Sequence, residues 1–241
     1  MTDAAVPAPK PPSVWEDFVD IFTSPTQVFE RRQNGGFALQ LIVLTVIIFA
    51  IYLGTKPLLQ PLFDNMFDKQ MAAMQRQNPA LTPDKLEAGR AIGEKFAMIF
   101  VLFGTPVIVL LVGLATWIVG KFFDSKQTLH AAFVVATYAY FPKIFASVAG
   151  ALIAYFTDPS RLTSPGMITL GPAYLLGPNA SPVLSALVTR LDVFTIWVTI
   201  LIGIGLHVTG KIPKSKAYAA AAIVWLLGAI FPVLGALRQT G

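Results

Sequence analysis

FALQLIVLTVIIFAIYLGT, residues 37–55, runs nineteen positions without a charged side chain. A helix rises about 1.5 Å per residue and bilayer hydrocarbon is about 30 Å thick, so a stretch this long and apolar reads as a membrane span. Working outward from it, four more stretches qualify. Ala97 to Val119 and Ala217 to Leu237 are charge-free; Leu129 to Phe156 holds His130 and Lys143; Leu191 to Thr209 holds Asp192 and His207. The fold class that follows is an all-α integral membrane protein with five transmembrane helices. Five crossings put the two ends of the membrane domain on opposite sides.

Composition agrees. Charged residues make up 13% of the 241 positions and hydrophobic ones 55%, whereas soluble domains carry roughly 25% charge. The net charge of +5 comes from scattered bases with no arginine-rich run, which disfavours nucleic acid as a partner. The absence of cysteine excludes disulfides, thiolate metal sites and cysteine nucleophiles. Proline and acids precede the first apolar run, so no secretory signal is expected there. No paired carboxylates, nucleophile elbow, HExxH or phosphate loop is present, so no enzyme, metal or cofactor is expected.

Orientation follows from the short connections. Gly120 to Thr128 and Gly210 to Lys216 hold Lys121, Lys126, Lys211, Lys214 and Lys216 against the single acid Asp124. The positive-inside rule puts these turns and the N-terminal tail in the cytoplasm, and the C-terminus outside. The long connections, 56–96 and 157–190, are then extracytoplasmic. Residues 1–12 are Pro/Ala-rich and expected to be disordered.

Residues 13–36 form a cytoplasmic amphipathic segment. Ser13 and Glu16 make a capping box, and Val14, Trp15, Phe18, Val19, Ile21 and Phe22 form an apolar stripe opposite Glu16, Asp17 and Asp20. The stripe can pack on the protein's own cytoplasmic face, or serve as a lipid sensor or partner contact through Trp15. In the first long connection, Leu62, Phe63, Met66, Phe67, Met71 and Met74 lie on one helical face, and Thr82-Pro83 starts a second helix. The expectation is an extracytoplasmic helical hairpin whose Met-rich face packs on itself. The second connection is irregular until Ser181-Pro182 opens a short helix.

Residues 107–142 laid over 197–232 give twelve identities in 36 positions, including Gly-Lys-x-x-x-Ser-Lys at Gly120 and Gly210 and Phe-Pro at Phe141 and Phe231. Spans two and three thus form a tandem pseudo-repeat with spans four and five, a relation seen in parallel-repeat transporters. Gly113 and Gly120 in one unit, and Gly203, Gly205 and Gly210 in the other, suit close helix packing in lipid. Pro142 and Pro232 are expected to bend their spans and free carbonyls near Tyr138 and Gly228. Lys143 and Asp192 are the two charges inside the spans, and intramembrane ionisable groups are functional candidates. Lys143 lies close enough to the outer face to snorkel; Asp192 suits a helix N-terminus, or the counter-ion of Lys143 or Arg190.

Three segments, in this order, resemble the Yip-domain family of five-span membrane proteins: Thr23-Ser24-Pro25-Thr26-Gln27-Val28-Phe29, Ala136-Thr137-Tyr138-Ala139-Tyr140-Phe141-Pro142, and Asp192-Val193-Phe194-Thr195-Ile196-Trp197 running through Gly210-Lys211 to Lys216-Ala217. The resemblance extends from about Val14 to Leu237, making residues 37–241 a Yip-like membrane domain. It implies a cytoplasmic N-terminus and, on the short tail and long outer loops, the bacterial branch and the inner membrane. Eukaryotic members are associated with vesicle trafficking and Ypt/Rab GTPases, a role not carried over here; some bacterial members accompany ABC-type exporters.

Three readings follow. The leading one is a non-enzymatic inner-membrane scaffold or adaptor contacting membrane lipids and a membrane-protein partner or a second copy. The second is a small transporter or lipid-translocating protein with a path between the repeats near Pro142, Lys143 and Pro232. The third is an auxiliary subunit of an ABC-type exporter.

Overall fold

The computed structural model describes residues 14–78, 82–177 and 180–237. The leader 1–12, the capping residue Ser13 and Pro79 lie outside the described residues. Regular structure among them is helical, and five stretches are long and apolar enough to cross a membrane: Ala38–Arg76, Glu87–Phe122, Leu129–Phe156, Val193–Gly210 and Lys214–Leu237. The chain is a multi-pass membrane protein.

Two short helices, α1 (Val14–Thr23) and α2 (Pro25–Arg32), precede the first span. Pro25 ends one and starts the other, since proline lacks the amide that would continue α1 but suits a first helical position. The first span is then a correction. A separate helix was expected after Lys56, but α3 runs unbroken from Ala38 to Gln77 through Pro57 and Pro61. Packing offsets the two lost amide donors: Leu58, Leu59 and Leu62 sit against Ala154 and Leu162, and Asn65 Nδ2 donates to the carbonyls of Pro61 and Leu162. The methionine face is a second correction. Leu62 is buried, whereas Met66 and Met74 stay over 40% exposed rather than packing on one another.

The second span is likewise long. Helix α4 (Pro83–Ile99) passes through a π turn, Phe100–Gly104, into α5 (Thr105–Phe122). Pro106 lies at the start of α5, where its missing amide favours the wider turn before it. The third span is α6 (Leu129–Ala139) and α7 (Pro142–Phe156), the fourth is α9 (Val193–Gly210), and the fifth is α10 (Lys214–Leu227) with α11 (Ile230–Leu237). Helix α8 (Pro182–Val188) opens on Ser181, whose hydroxyl accepts from the Leu184 amide at 3.2 Å.

The core lies where α5, α6, α9 and α10 meet. Val134, Val135, Tyr138 and Phe141 interlock there with Leu201, Leu206, Ala217, Ala221 and Val224, all buried. Close approach depends on glycine. A Cβ on Gly113 would lie 2.6 Å from the Phe133 ring, and one on Gly203 2.4 Å from the Tyr218 ring. Gly205 meets Val135, Gly120 meets Leu206 and Ser125, and Gly210 meets Ser125. In lipid, where apolar burial between helices gains little, such contact is what holds helices together. Outward residues such as Ile42, Val46, Leu111 and Leu226 are large, apolar and exposed, as a lipid-facing surface requires.

Candidate functional site

Two polar assemblies interrupt this apolar body. The first corrects the reading of α1. Asp17, expected on a solvated face, is fully buried. Arg31 Nε donates to its Oδ1 at 2.8 Å, Arg32 Nε to Oδ2 at 2.6 Å, and the Tyr138 hydroxyl to Oδ2 at 2.9 Å. Arg31 also donates to Asp20 at 2.6 Å, so two acids and two bases close a neutral network. Burial works against the Arg31 charge, but its hydrogen bonds to Asp20 and Asp17 outweigh it and raise the guanidinium above its ordinary value. Aromatic contacts complete the docking, with Phe18 on Phe141 at 4.4 Å and Phe22 on Phe145 and Trp197 at 5.1 and 5.3 Å. Trp15 and Val19 are left outward, 72% and 64% exposed.

On the same side as this tail lie the two short turns. Lys121 Nζ donates to the carbonyls of Ser125 and Gln127 and so braces its own turn. Lys216 pairs with Asp124 at 2.9 Å, and the Lys126 amide donates to the Gly210 carbonyl, tying the turns together. The side chains of Lys126, Lys211, Lys214 and Lys216 are exposed.

The second assembly lies at the far end of the helices. An open cleft of about 1260 Å³ is lined by the C-terminal half of α3, α4, α7, the connection 163–177, α8, the first turn of α9 and α11, larger than a common ligand pocket of roughly 300–1,000 Å³. Lys143, Asp192 and Pro232 line it; Pro142 does not and is buried. Asp192 caps α9, accepting from the amides of Phe194 and Thr195 at 3.0 and 3.2 Å, and the Thr195 hydroxyl donates to its Oδ2. Lys143 Nζ donates to Thr195 Oγ1 at 2.7 Å and lies 3.7 Å from Asp192. Lys143 therefore turns inward to a carboxylate instead of snorkelling to the outer face.

The two prolines act differently from each other. No free carbonyl arises at Tyr138, because the Phe141 amide closes a tighter turn onto it at 3.2 Å. At the other break, Arg190 fills the gap, donating to the carbonyls of Gly228 and Trp225 at 3.0 and 2.7 Å, with its guanidinium stacked over the Trp225 ring. Its Nε is buried without a hydrogen-bond partner among the described residues. His130 and His207 each bond a backbone carbonyl, those of Gly35 and Ile212.

Sequence reasoning passed over Asp17, Arg31, Arg32, Tyr138 and Thr195 as site residues. Thr195 had a local signal, since a hydroxyl three residues after a capping Asp falls within its reach. The partners of Asp17 had none, because Tyr138 is 121 positions away. Neither a curated protein nor a solved structure matches the chain. The family model of the Yip1 domain matches residues 19–235, nearly the whole described structure, and the chain belongs to that family.

Proposed function

We propose that the protein is a non-enzymatic membrane scaffold that gathers a membrane-protein partner or a second copy of itself. The observation that carries this reading is the α1–α2 hairpin, held to the spans through Asp17 while Trp15 and Val19 stay exposed. A tail held this firmly is a rigid part of the surface, and two large apolar residues exposed on it form a contact patch. The test is photo-crosslinking from position 15 in native membranes. A stoichiometric protein adduct, whether a second copy or an exporter ATPase, is the expected result. Recovery of uncrosslinked monomer alone overturns the reading.

The cavity favours a second reading, a lipid-handling or transport role at Lys143 and Pro232. Against passage through the chain, Tyr138 and Phe141 are fully buried in the packed core between the repeats, which favours a binding pocket over a path. Reconstituted liposomes decide it: no flux of lipid or ion, or flux unchanged by Lys143→Leu, removes transport.

A further inference from the structure

The last span is broken in a way that the third is not. Pro232 cannot supply the amide that would pair the Gly228 carbonyl four residues back. The Ala229 amide, which would pair the Trp225 carbonyl, turns instead to Leu226 at 2.9 Å. Two carbonyls are thereby released between α10 and α11. At the matching break in the third span the chain serves itself, through the Phe141 amide on Tyr138. Here the donor comes from another element: Arg190 Nη1 donates to the Gly228 carbonyl at 3.0 Å and Nη2 to that of Trp225 at 2.7 Å.

The neighbours of this guanidinium are shaped to it. The Trp225 ring lies 5.5 Å from it, and the Trp225 indole donates to the Arg190 carbonyl at 3.3 Å. Gly228 leaves it room, because a Cβ there would lie 2.7 Å from Nη2. The backbone does not require glycine at this position, since a φ of −65° suits any residue. What excludes a side chain is the arginine. Two residues further on, Asp192 and Thr195 hold Lys143, so one short segment fastens both proline-broken spans.

A side-chain donor differs from a backbone amide in that it can leave. In hydrocarbon two bare carbonyls would forbid departure, but Arg190 and Pro232 both line the open cleft, where water can replace the guanidinium. The break therefore has two satisfied states, one pinned and one hydrated. Helix α11 is the part that moves between them. It packs on α8 and supplies Pro232, Gly235 and Ala236 to the wall of the cleft.

We propose that Arg190 is a releasable pin: it stands in for the amide that Pro232 lacks, and its departure lets α11 turn about Gly228 and Ala229 and widen the cleft. The inference goes beyond the scaffold reading and does not depend on it, because α1 and α2 take no part.

The chain has no cysteine, so a pair of spin labels can be placed without background. Ala219→Cys with Leu234→Cys spans the break; both positions are exposed and lie about 22 Å apart at the helical rise. Double electron–electron resonance in nanodiscs is expected to show one dominant distance in the chain that is otherwise native. Arg190→Met is expected to broaden it or add a second population. Pro232→Ala in that background returns the missing amide and is expected to restore the single distance. A distance unchanged by Arg190→Met, or a broadening that Pro232→Ala fails to reverse, overturns the pin. Should Arg190→Met misfold, Gly228→Ala displaces the guanidinium while leaving it in the chain. Broadening is then expected, although alanine ordinarily favours a helix over glycine, and an unchanged or sharper distance overturns the proposal as well. Either result leaves cross-linking from position 15, and with it the scaffold reading, untouched.

Discussion

Two buried aspartates serve the two polar assemblies, one bonded to Tyr138 just before the Phe141–Pro142 break and the other beside Lys143 just after it. Asp17 is 0% exposed and Asp192 7%. Asp17 meets two arginines and a tyrosine in a network whose charges cancel, and its surroundings are sealed by aromatic rings. Asp192 meets one lysine across 3.7 Å, spends much of its capacity on helix amides, and faces a cavity in which bases outnumber acids. The same side chain therefore locks one assembly and leaves the other open. What differs is the number of opposite charges within reach and whether the surrounding volume is filled.

The largest expected effect lies in the locked assembly. Asp17→Ala strands Arg31 and Arg32, and removing one partner of a buried pair costs about 3–5 kcal/mol; with each arginine 22% exposed, the lower figure applies. The fall appears as a lower Tm in detergent, together with new protease sensitivity between α1 and α2. An unchanged Tm would erase the contrast between the two assemblies.

Asp192→Ala comes next, at about 2 kcal/mol, combining a lost helix cap of roughly 1 kcal/mol with a lost charge partner for Lys143. Asp192→Asn separates the two contributions, because the amide oxygen still caps α9; recovery of about half the loss is expected in the same melting experiment. Tyr138→Phe should cost about 1.5 kcal/mol, the lower end for one hydrogen bond to a charged group, and should add to the Asp192→Ala loss in the double variant. If the two losses failed to add, the two assemblies would be coupled rather than independent.

The smallest effect concerns Asp158, on the connection that borders the cavity. The Ser160 hydroxyl and amide hold its carboxyl below the ordinary range. A depressed folded pKa means its contribution is complete above the unfolded value and disappears as pH falls through the folded one. Asp158→Asn should therefore lower stability slightly at neutral pH and leave it unchanged at the acid end, flattening the acid limb between them, read from melting curves across that range.

The turns of the two similar units show how far local sequence reaches. Both read Gly-Lys-x-x-x-Ser-Lys, yet Lys121 is helical while Lys211 is left-handed at φ 54°. Pro213 decides this: it disfavours helix at Ile212, so α9 stops at Gly210 and α10 begins at once on Lys214. Phe123 imposes no such stop, so α5 continues to Phe122, the left-handed residue moves to Asp124, and α6 waits for Thr128, whose hydroxyl accepts from the Ala131 amide at 3.1 Å. These differences were legible in principle from one proline and one threonine.

By itself the sequence determined the solvent, the number of crossings and the places where backbones meet closely. Each depends on local quantities: the length of an apolar run against the bilayer thickness, and the absence of a side chain at Gly113 or Gly203. Only the tertiary structure decided that α3 passes through Pro57 and Pro61, that Asp17 is interior, and that Lys143 and Asp192 share a cavity with Arg190 and Lys56. The physical reason is shared. A buried charge and a proline in a helix are unfavourable alone, and whether either is tolerated depends on partners that only the folded chain brings within a few ångströms.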